Sequence, residues 1–338
     1  MSGNISHDAC RSINQKFTHN FLPAVFISVF VVGTLSNMWG LRSVYSSWNK
    51  IGNINIFMLN LGVADLLYLS TLPFLVNYYA RNSDWQFGQS FCKLTRFCFN
   101  LNLYGSIGFL TCISIYRYLG IVHPMRVMGK ISSRQSLAIS ALVWTLVIIQ
   151  IIPDMLFDKN DQKLPNACFD TTSNNLTRNY LPYSIGWTVT GFALPLVIIL
   201  VCYGHIVVVL VKKANVNPLL KRRCLKLVVF LVILFSVCFI PYHVFRNVNL
   251  KTRILKQEGM CHHSFDDVYI AHQVGRCLAC LNSAINPLIY IVGNDDFITK
   301  LQHFSQSLQQ SLPGLTGAVI CRNPMEADTD LPASVPIR

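Results

Sequence analysis

Seven separate stretches of this chain are each long and apolar enough to cross a lipid bilayer, and no other feature restricts the fold so much. They cover about 21–45, 53–80, 89–121, 136–157, 180–211, 224–249 and 268–292. A helix needs roughly 20 apolar residues to span the hydrocarbon core. Pro73, Pro153, Pro195, Pro241 and Pro287 fall inside these stretches. Each would cost about 3 kcal/mol in a water-exposed helix. In a membrane bundle, neighbouring helices and waters re-satisfy the freed backbone groups. Hydrophobic residues make up 52% of the chain and charged residues 13%. Soluble domains carry roughly 25% charged residues, so an ordinary soluble enzyme is excluded. The expected fold is an all-α membrane protein, a seven-transmembrane helix bundle over 21–292. The first twenty residues are polar, and the first apolar run is too long and wrongly flanked for a cleavable signal. After the bundle, Asp296-Phe297-Ile298-Thr299-Lys300-Leu301-Gln302-His303-Phe304 is amphipathic and predicts a short eighth helix along the membrane. The remainder of 293–338 reads as a mobile tail.

The net charge of +13 suggests a nucleic-acid partner, but its distribution argues otherwise. The connections after spans one, three and five hold Arg42, Lys50, Arg117, Arg126, Lys130, Arg134, Lys212, Lys213, Lys221, Arg222, Arg223 and Lys226 with no acid among them. The fourth-to-fifth connection instead mixes Asp154, Asp158, Asp161 and Asp170 with Lys159, Lys163 and Arg178. The unopposed basic side is the cytoplasmic one. The N-terminal segment 1–20 is therefore expected outside the cell. The glycosylation sequons at Asn4 and Asn175 fall on the same outer side. Of twelve cysteines, Cys10, Cys92, Cys168 and Cys261 lie at outer positions. Four cysteines allow three pairings. The other eight read as small buried hydrophobes.

Polar groups inside the spans are costly and tend to be functional. Here they are Asn37, Asp65, Ser106, Asn282 and Asn286, with Arg117 at the inner end of span three. With Trp144, Pro195, Tyr203 and Asn286-Pro287-Leu288-Ile289-Tyr290, this ordered set resembles the rhodopsin-like receptor family over nearly the whole chain. The resemblance implies a heterotrimeric G protein as partner, with arrestin as a further candidate. It implies a central sodium cluster of Asp65, Asn37, Ser106, Asn282 and Asn286, and no other cofactor. It implies an activation switch built from Arg117, Tyr203, Phe235, Phe239, Pro241 and Tyr290. It further implies disulfides joining Cys92 to Cys168 and Cys10 to Cys261. Two positions depart from the family pattern. Tyr116 stands where an acid usually precedes the switch arginine, and Phe239 stands where the toggle below the ligand is often Trp. Lys221-Arg222-Arg223-Cys224 also offers Arg117 no carboxylate, so the inactive-state ion pair is expected to be missing.

The outer span ends are cationic. Arg96, Asn100 and Tyr104 recur at four-residue spacing and share one helix face. His243 and Arg246 follow Pro241, with Asn249 one turn beyond. His272, Gln273 and Arg276 share a face of span seven, and Arg276 lies about 15 Å outward of Asn286 along a helix. Three arginines at similar depth, with no acid beside them in those helices, repel one another near a low-dielectric interior. An arriving anion removes that cost, and the guanidinium fork suits phosphate and carboxylate oxygens. Alternatively, each arginine reaches the interface or pairs with Asp170, Asp266 or Asp267.

The stretches Cys92-Lys93-Leu94-Thr95-Arg96-Phe97, Asn102-Leu103-Tyr104-Gly105-Ser106-Ile107, Pro241-Tyr242-His243-Val244-Phe245-Arg246 and Gln273-Val274-Gly275-Arg276 resemble the G-protein-coupled purinergic receptors. Cys168-Phe169-Asp170-Thr171-Thr172-Ser173 adds to the likeness. It implies an extracellular adenine or uracil nucleotide as ligand, with adenine preferred, and signalling through Gq. The phosphates are expected at Arg96, Arg246 and Arg276. The base or ribose is expected near Asn100, Tyr104, Tyr78, Asn249 and Gln273. A receptor for a dicarboxylate such as succinate or 2-oxoglutarate is the nearest alternative. A lysophospholipid receptor would need an apolar channel. An organic-anion transporter would show repeated halves and broken paired helices. No nucleophile elbow, Gly-rich phosphate loop or clustered metal set marks an enzyme, and Cys261-His262-His263 is expected to bind no metal.

Overall fold

Every element among the described residues is helical, and three helices change pitch or break just ahead of a proline, whereas Pro23, Pro153 and Pro182 lie within continuous helices. The computed structural model describes residues 16–46, 53–123, 132–159, 166–168, 170–212, 218–260 and 262–289. One unit spans Met1–Gly293. The second, Asn294–Arg338, lies outside the described residues, as do the expected eighth helix, the tail, Asn4, Cys10, Cys261 and Tyr290.

The spans are α1 (Lys16–Ser46); α2 (Ile54–Leu69) with α3 (Leu72–Ala80); α4 (Gln89–Val122); α5 (Ser133–Leu156); α6 (Thr177–Thr188) with α7 (Leu194–Lys212); α8 (Pro218–Leu234) with α9 (Ile240–Gln257); and α10 (Ser264–Ile285). The second span breaks just before Pro73, whose ring excludes the carbonyl four residues back. The hydroxyls of Ser70 and Thr71 bond the Leu67 and Tyr68 carbonyls at that break. In spans five and six the chain widens into π turns at Val189–Ala193 and Phe235–Phe239, each just ahead of a proline. Pro195 and Pro241 lack the N–H that a regular turn would use. At the fourth span, Ser132 caps α5 through the Gln135 N–H, and the Gln135 side chain accepts from the Ser132 N–H.

The bundle gathers its polar groups inside, within an apolar core, and turns apolar side chains outward as a lipid solvent demands. On α5, Leu142, Leu146, Ile149 and Ile152 are exposed while Ser136, Ser140 and Asp154 are buried. An apolar face of that extent would mark an aggregation site in water. Among the described residues, six helices are long and apolar enough to cross a membrane. The seventh, α10, has 22 residues but carries Asp266, Asp267, His272, Gln273 and Arg276. It packs against α1 and α9, which hides His272, Gln273 and Arg276. Close approach to span six is possible because residue 275 is glycine. A Cβ there would lie 3.0 Å from the Tyr242 backbone nitrogen. α4 lies at the centre, against α2, α5 and α7.

Several helices outrun the apolar stretches that announce them. α1 begins at Lys16, ahead of its apolar stretch at about 21–45. α9 continues to Gln257, and α8 begins at Pro218. Apolarity tracks the lipid, whereas helical hydrogen bonding continues through polar residues on either side.

Candidate ligand-binding site

The Cys92–Cys168 disulfide ties the first turn of α4 to the loop between the fourth and fifth spans. That bond brings loop carbonyls and Asp170 to the helix ends where the arginines lie. Arg96 is buried and donates from Nη2 to the Cys168 carbonyl. Tyr78 accepts the Cys168 N–H at 3.2 Å, so it anchors the loop.

Arg246 is 1% exposed and meets aromatic groups instead of a carboxylate. Its Nη1 donates to the Tyr104 hydroxyl at 3.1 Å and its Nη2 to the Tyr180 hydroxyl at 3.5 Å. The guanidinium carbon lies 4.7 Å from the Trp187 ring centre and 5.9 Å from both the Tyr180 and Tyr242 rings. Such stacking stabilises a desolvated cation by about 2 kcal/mol. Trp187 also stacks on Tyr104 with centroids 4.5 Å apart, and its buried indole N–H has no partner. Tyr104 can sit there because residue 191, in the π turn, is glycine. A Cβ at that position would lie 2.8 Å from two Tyr104 ring carbons.

Arg276 is 3% exposed, donates from Nη2 to the Tyr79 hydroxyl at 2.8 Å and lies 3.7 Å from Asp170 Oδ2. The same carboxylate oxygen is 3.3 Å from His272 Nε2. Burial alone would raise the Asp170 pKa, but His272, Arg276, Arg96 and Arg253 together hold its carboxyl well below the usual range. His272 faces Asn249 at 3.4 Å and stacks beside Tyr242. His243 stacks on Phe192 at 4.3 Å, and both its ring nitrogens are buried without a partner. Gln273 is buried with Oε1 unpartnered. Shared neighbours thus link the span-three, span-six and span-seven sets. Arg96, Arg246 and Arg276 each bury an Nε that has no hydrogen-bond partner.

Several groups here are absent from the sequence expectation. Asp154, counted there as a loop charge, lies inside α5 and is fully buried. It accepts from Lys159 Nζ at 2.8 Å, Tyr180 Oη at 2.7 Å and Asn100 Nδ2 at 3.2 Å. Burial pulls the pKa of Lys159 below its ordinary value despite the Asp154 charge. Lys159 also donates to the Thr171 carbonyl. At the rim, Arg253 of α9 holds the loop through Thr171, Thr172 and Asn174. Asn175 beside it is exposed. A buried acid at the end of an isoleucine-rich run carries no local sign of its partners, which come from other elements.

Deeper in the bundle, Asp65 accepts from Asn102 Nδ2 at 2.7 Å and from Asn286 Nδ2 at 3.0 Å. Ser106 lies 3.4 Å from that same Asn286 nitrogen. Ser283 donates to Asn102 at 2.9 Å, which adds Asn102 and Ser283 to the expected set. Asn37 bonds the Ser283 carbonyl at 2.7 Å and makes no hydrogen bond to Asp65. Asn282 is fully buried with both side-chain polar atoms unpartnered, as is Asn286 Oδ1. A carboxylate ringed by amide and hydroxyl groups, with spare buried oxygens, fits a hard monovalent cation and its preference for oxygen ligands. No group of three or more His, Cys, Asp or Glu that could hold a metal occurs among the described residues.

Toward the opposite end, no carboxylate pairs with half-buried Arg117 among the described residues, and its Nε is unpartnered. Tyr203 lies 3.0 Å from Ser114. Phe235 and Phe239 meet edge to face within the π turn that precedes Pro241.

The helical bundle thus carries a disulfide-anchored loop over a cationic site at one end. The profile described as 7 transmembrane receptor (rhodopsin family) matches residues 41–290. The chain is 37% identical over 333 residues to purinoceptor 1 of Mus musculus, covering 95% of this chain and 89% of the relative. It is 40% identical over 296 residues to purinoceptor 1 of Homo sapiens, covering 86% and 79%. Purinoceptor 4 of Xenopus laevis is 34% identical over 307 residues, covering 88% of this chain and 56% of the relative. The chain belongs to the rhodopsin family of seven-transmembrane receptors and, within it, to the purinoceptors.

Proposed function

We propose that this chain is a plasma-membrane receptor for an extracellular nucleotide, an adenine nucleotide in preference to a uracil one. It activates a heterotrimeric G protein of the Gq type and so releases intracellular calcium. The observation that carries this reading is the trio of buried guanidiniums, Arg96, Arg246 and Arg276, each with an unpartnered Nε. Such donors are expensive to leave unmet and suit a polyanion. The names of the purinoceptor relatives favour the same ligand class. The N-terminus and the disulfide end of the bundle face outside. Cys10 and Cys261 form a second bridge, and Asn4 and Asn175 carry glycans.

In this mechanism the phosphates engage Arg96, Arg246 and Arg276 and take Arg276 from Asp170. The base or ribose lies against Asn100, Tyr104, Tyr78, Asn249 and Gln273, while His243 and His272 flank the phosphates. Spans six and seven draw toward span three at the outer end. Differential affinity for that closed arrangement shifts the population to the active form. The inner end of span six then opens beside Arg117, Tyr203 and Tyr290. Asp65, Ser106, Asn282 and Asn286 would hold a sodium ion in the resting form, where its charge would balance the buried carboxylate.

The test is calcium release in cells expressing the full chain, challenged with ATP, ADP, UTP, UDP, succinate and 2-oxoglutarate. A nucleotide response lost in Arg276→Ala, with surface expression confirmed, supports the proposal. A response to a dicarboxylate alone keeps the site and overturns the ligand.

A further inference from the structure

Asp154 has no role in the mechanism above, yet it is the most heavily engaged buried acid at this end of the bundle. Its Oδ1 takes Lys159 Nζ at 2.8 Å and the Tyr180 hydroxyl at 2.7 Å. Its Oδ2 takes the Asn100 amide nitrogen at 3.2 Å. An ion-paired carboxylate accepts hydrogen bonds and gives none. Two consequences follow for its neighbours.

The single hydroxyl hydrogen of Tyr180 is committed to Asp154, so its oxygen is left to accept from Arg246 Nη2 at 3.5 Å. The Asn100 amide has only one workable orientation. Turned over, its carbonyl oxygen would face the carboxylate, acceptor against acceptor, in a site where Asn100 is 3% exposed. With Nδ2 held by Asp154, Oδ1 is the atom left without a hydrogen bond among the described residues. Asn100 shares the helix face of Arg96 and Tyr104, both part of the arginine site.

We infer that Asp154 is a specificity-determining residue. By fixing the Asn100 amide it presents a carbonyl acceptor to the ligand, so the site favours a base with an exocyclic amine over the same base with a carbonyl there. Adenine carries such an amine; hypoxanthine replaces it with oxygen. This rests on the nucleotide reading and gives it a cause for adenine preference that the arginines cannot supply, since they meet only phosphate. Lys159 completes the device by balancing the Asp154 charge without competing for Oδ2.

ADP and IDP carry identical phosphates and differ at the exocyclic group, amine against carbonyl, and at the adjoining N1, bare in adenine and protonated in hypoxanthine. Concentration–response curves for both, read as calcium release from the full-length receptor with surface expression measured, isolate the contact. The wild type is expected to prefer ADP by about 10- to 100-fold, the span of one buried donor replaced by an unmatched acceptor. The double variant Asp154→Asn/Lys159→Met removes both charges together and lets the Asn100 amide turn. Its ADP/IDP ratio should fall to within about threefold, a difference of under 1 kcal/mol. Asn100→Ala leaves the Asp154–Lys159–Tyr180 cluster in place and should collapse the ratio equally, which decides the matter if the double variant fails to reach the surface. A purely structural Asp154 would lower expression or both potencies together and leave the ratio unchanged; that result overturns the inference. So does a wild type that treats ADP and IDP alike. A wild type silent to ADP and IDP but responsive to UDP or UTP overturns it too, whereas silence to all of these nucleotides overturns the nucleotide reading itself, before any substitution is made.

Discussion

Replacing Arg276 with alanine removes a buried cation whose donors are only partly used. Nη2 donates to the Tyr79 hydroxyl at 2.8 Å, Nη1 lies 3.7 Å from Asp170, and Nε has no partner. On the proposed reading a phosphate takes the place of Asp170 and adds two charge-assisted hydrogen bonds. Each contributes about 1.5–3 kcal/mol, or about 3–6 kcal/mol together. A further loss follows because Asp170 stays behind near the phosphates. At 5 Å and an effective dielectric of 20, two like charges repel by about 3 kcal/mol. Arg96 and Arg253 offset part of this, since both act on Asp170. Agonist potency should therefore fall by at least about 100-fold, counting the lower hydrogen-bond figure alone at 1.4 kcal/mol per tenfold. Calcium concentration–response curves and competition binding, normalised to surface receptor, measure it. Lys212→Ala, an exposed cation at the other end of α7, is the control and should leave agonist affinity unchanged. A loss under about tenfold, or equal losses in the two variants, would refute the placement of the phosphates.

Three other outcomes can be checked. Asp170 is held below the usual carboxylate range by its cationic neighbours, so its contribution is present above an ordinary carboxylate pKa near ~3.9 and is lost only as pH falls through its lower folded value. Agonist potency between pH 5.5 and 8 should then follow the same profile in Asp170→Asn as in wild type, and a decline confined to the wild type contradicts this (the pH limits are about two units above and four above that ordinary value). Gly191→Ala places a Cβ 2.8 Å from the Tyr104 ring and 3.0 Å from Gln150 Nε2, whereas Gly204→Ala meets nothing within 4 Å. Overpacking costs about 1–3 kcal/mol, so the first should lower agonist potency about 5- to 100-fold relative to the second, and equal potencies remove the argument. Replacing sodium by choline in the medium should raise agonist affinity in wild type and leave Asp65→Asn unmoved; identical sodium responses in the two receptors reject a cation at Asp65.

What the sequence carries depends on how local the cause is. The spans are legible because lipid contact forces apolarity on every turn of a helix, and Pro73, Pro195 and Pro241 mark where pitch changes. That the change is a π turn in the fifth and sixth spans is not legible, because the widened turn is settled by packing of Phe192, Phe235 and Phe239 into the core. The arginines announce themselves as charges in apolar surroundings. Their surroundings do not: Trp187 comes from α6 and Tyr79 from α3, and nothing near residue 246 or 276 in the chain names them. Asp154 is hidden for a related reason. It follows Pro153 and precedes two further charges at 158 and 159, which reads as the start of a loop, but α5 continues to Leu156 and Lys159 folds back to pair with it.

The two ends of the bundle pose opposite electrostatic problems, and together they bear on how little a ligand must do. At the disulfide end, three arginines are held by phenols, a carbonyl and one shared carboxylate, an arrangement that leaves buried donors unmet. At the other end, among the described residues, no carboxylate pairs with Arg117 to oppose the opening of span six. Moving a two-state equilibrium from 1:99 to 99:1 takes about 5.5 kcal/mol of differential binding. Two newly satisfied guanidiniums at about 3–6 kcal/mol each supply that without any contribution from the base. The base is then free to decide which nucleotide binds rather than whether binding activates. Recognition through Asn100 and Asp154 and activation through Arg246 and Arg276 can consequently be separated by mutation, and efficacy at saturating ligand should survive loss of the first but not of the second.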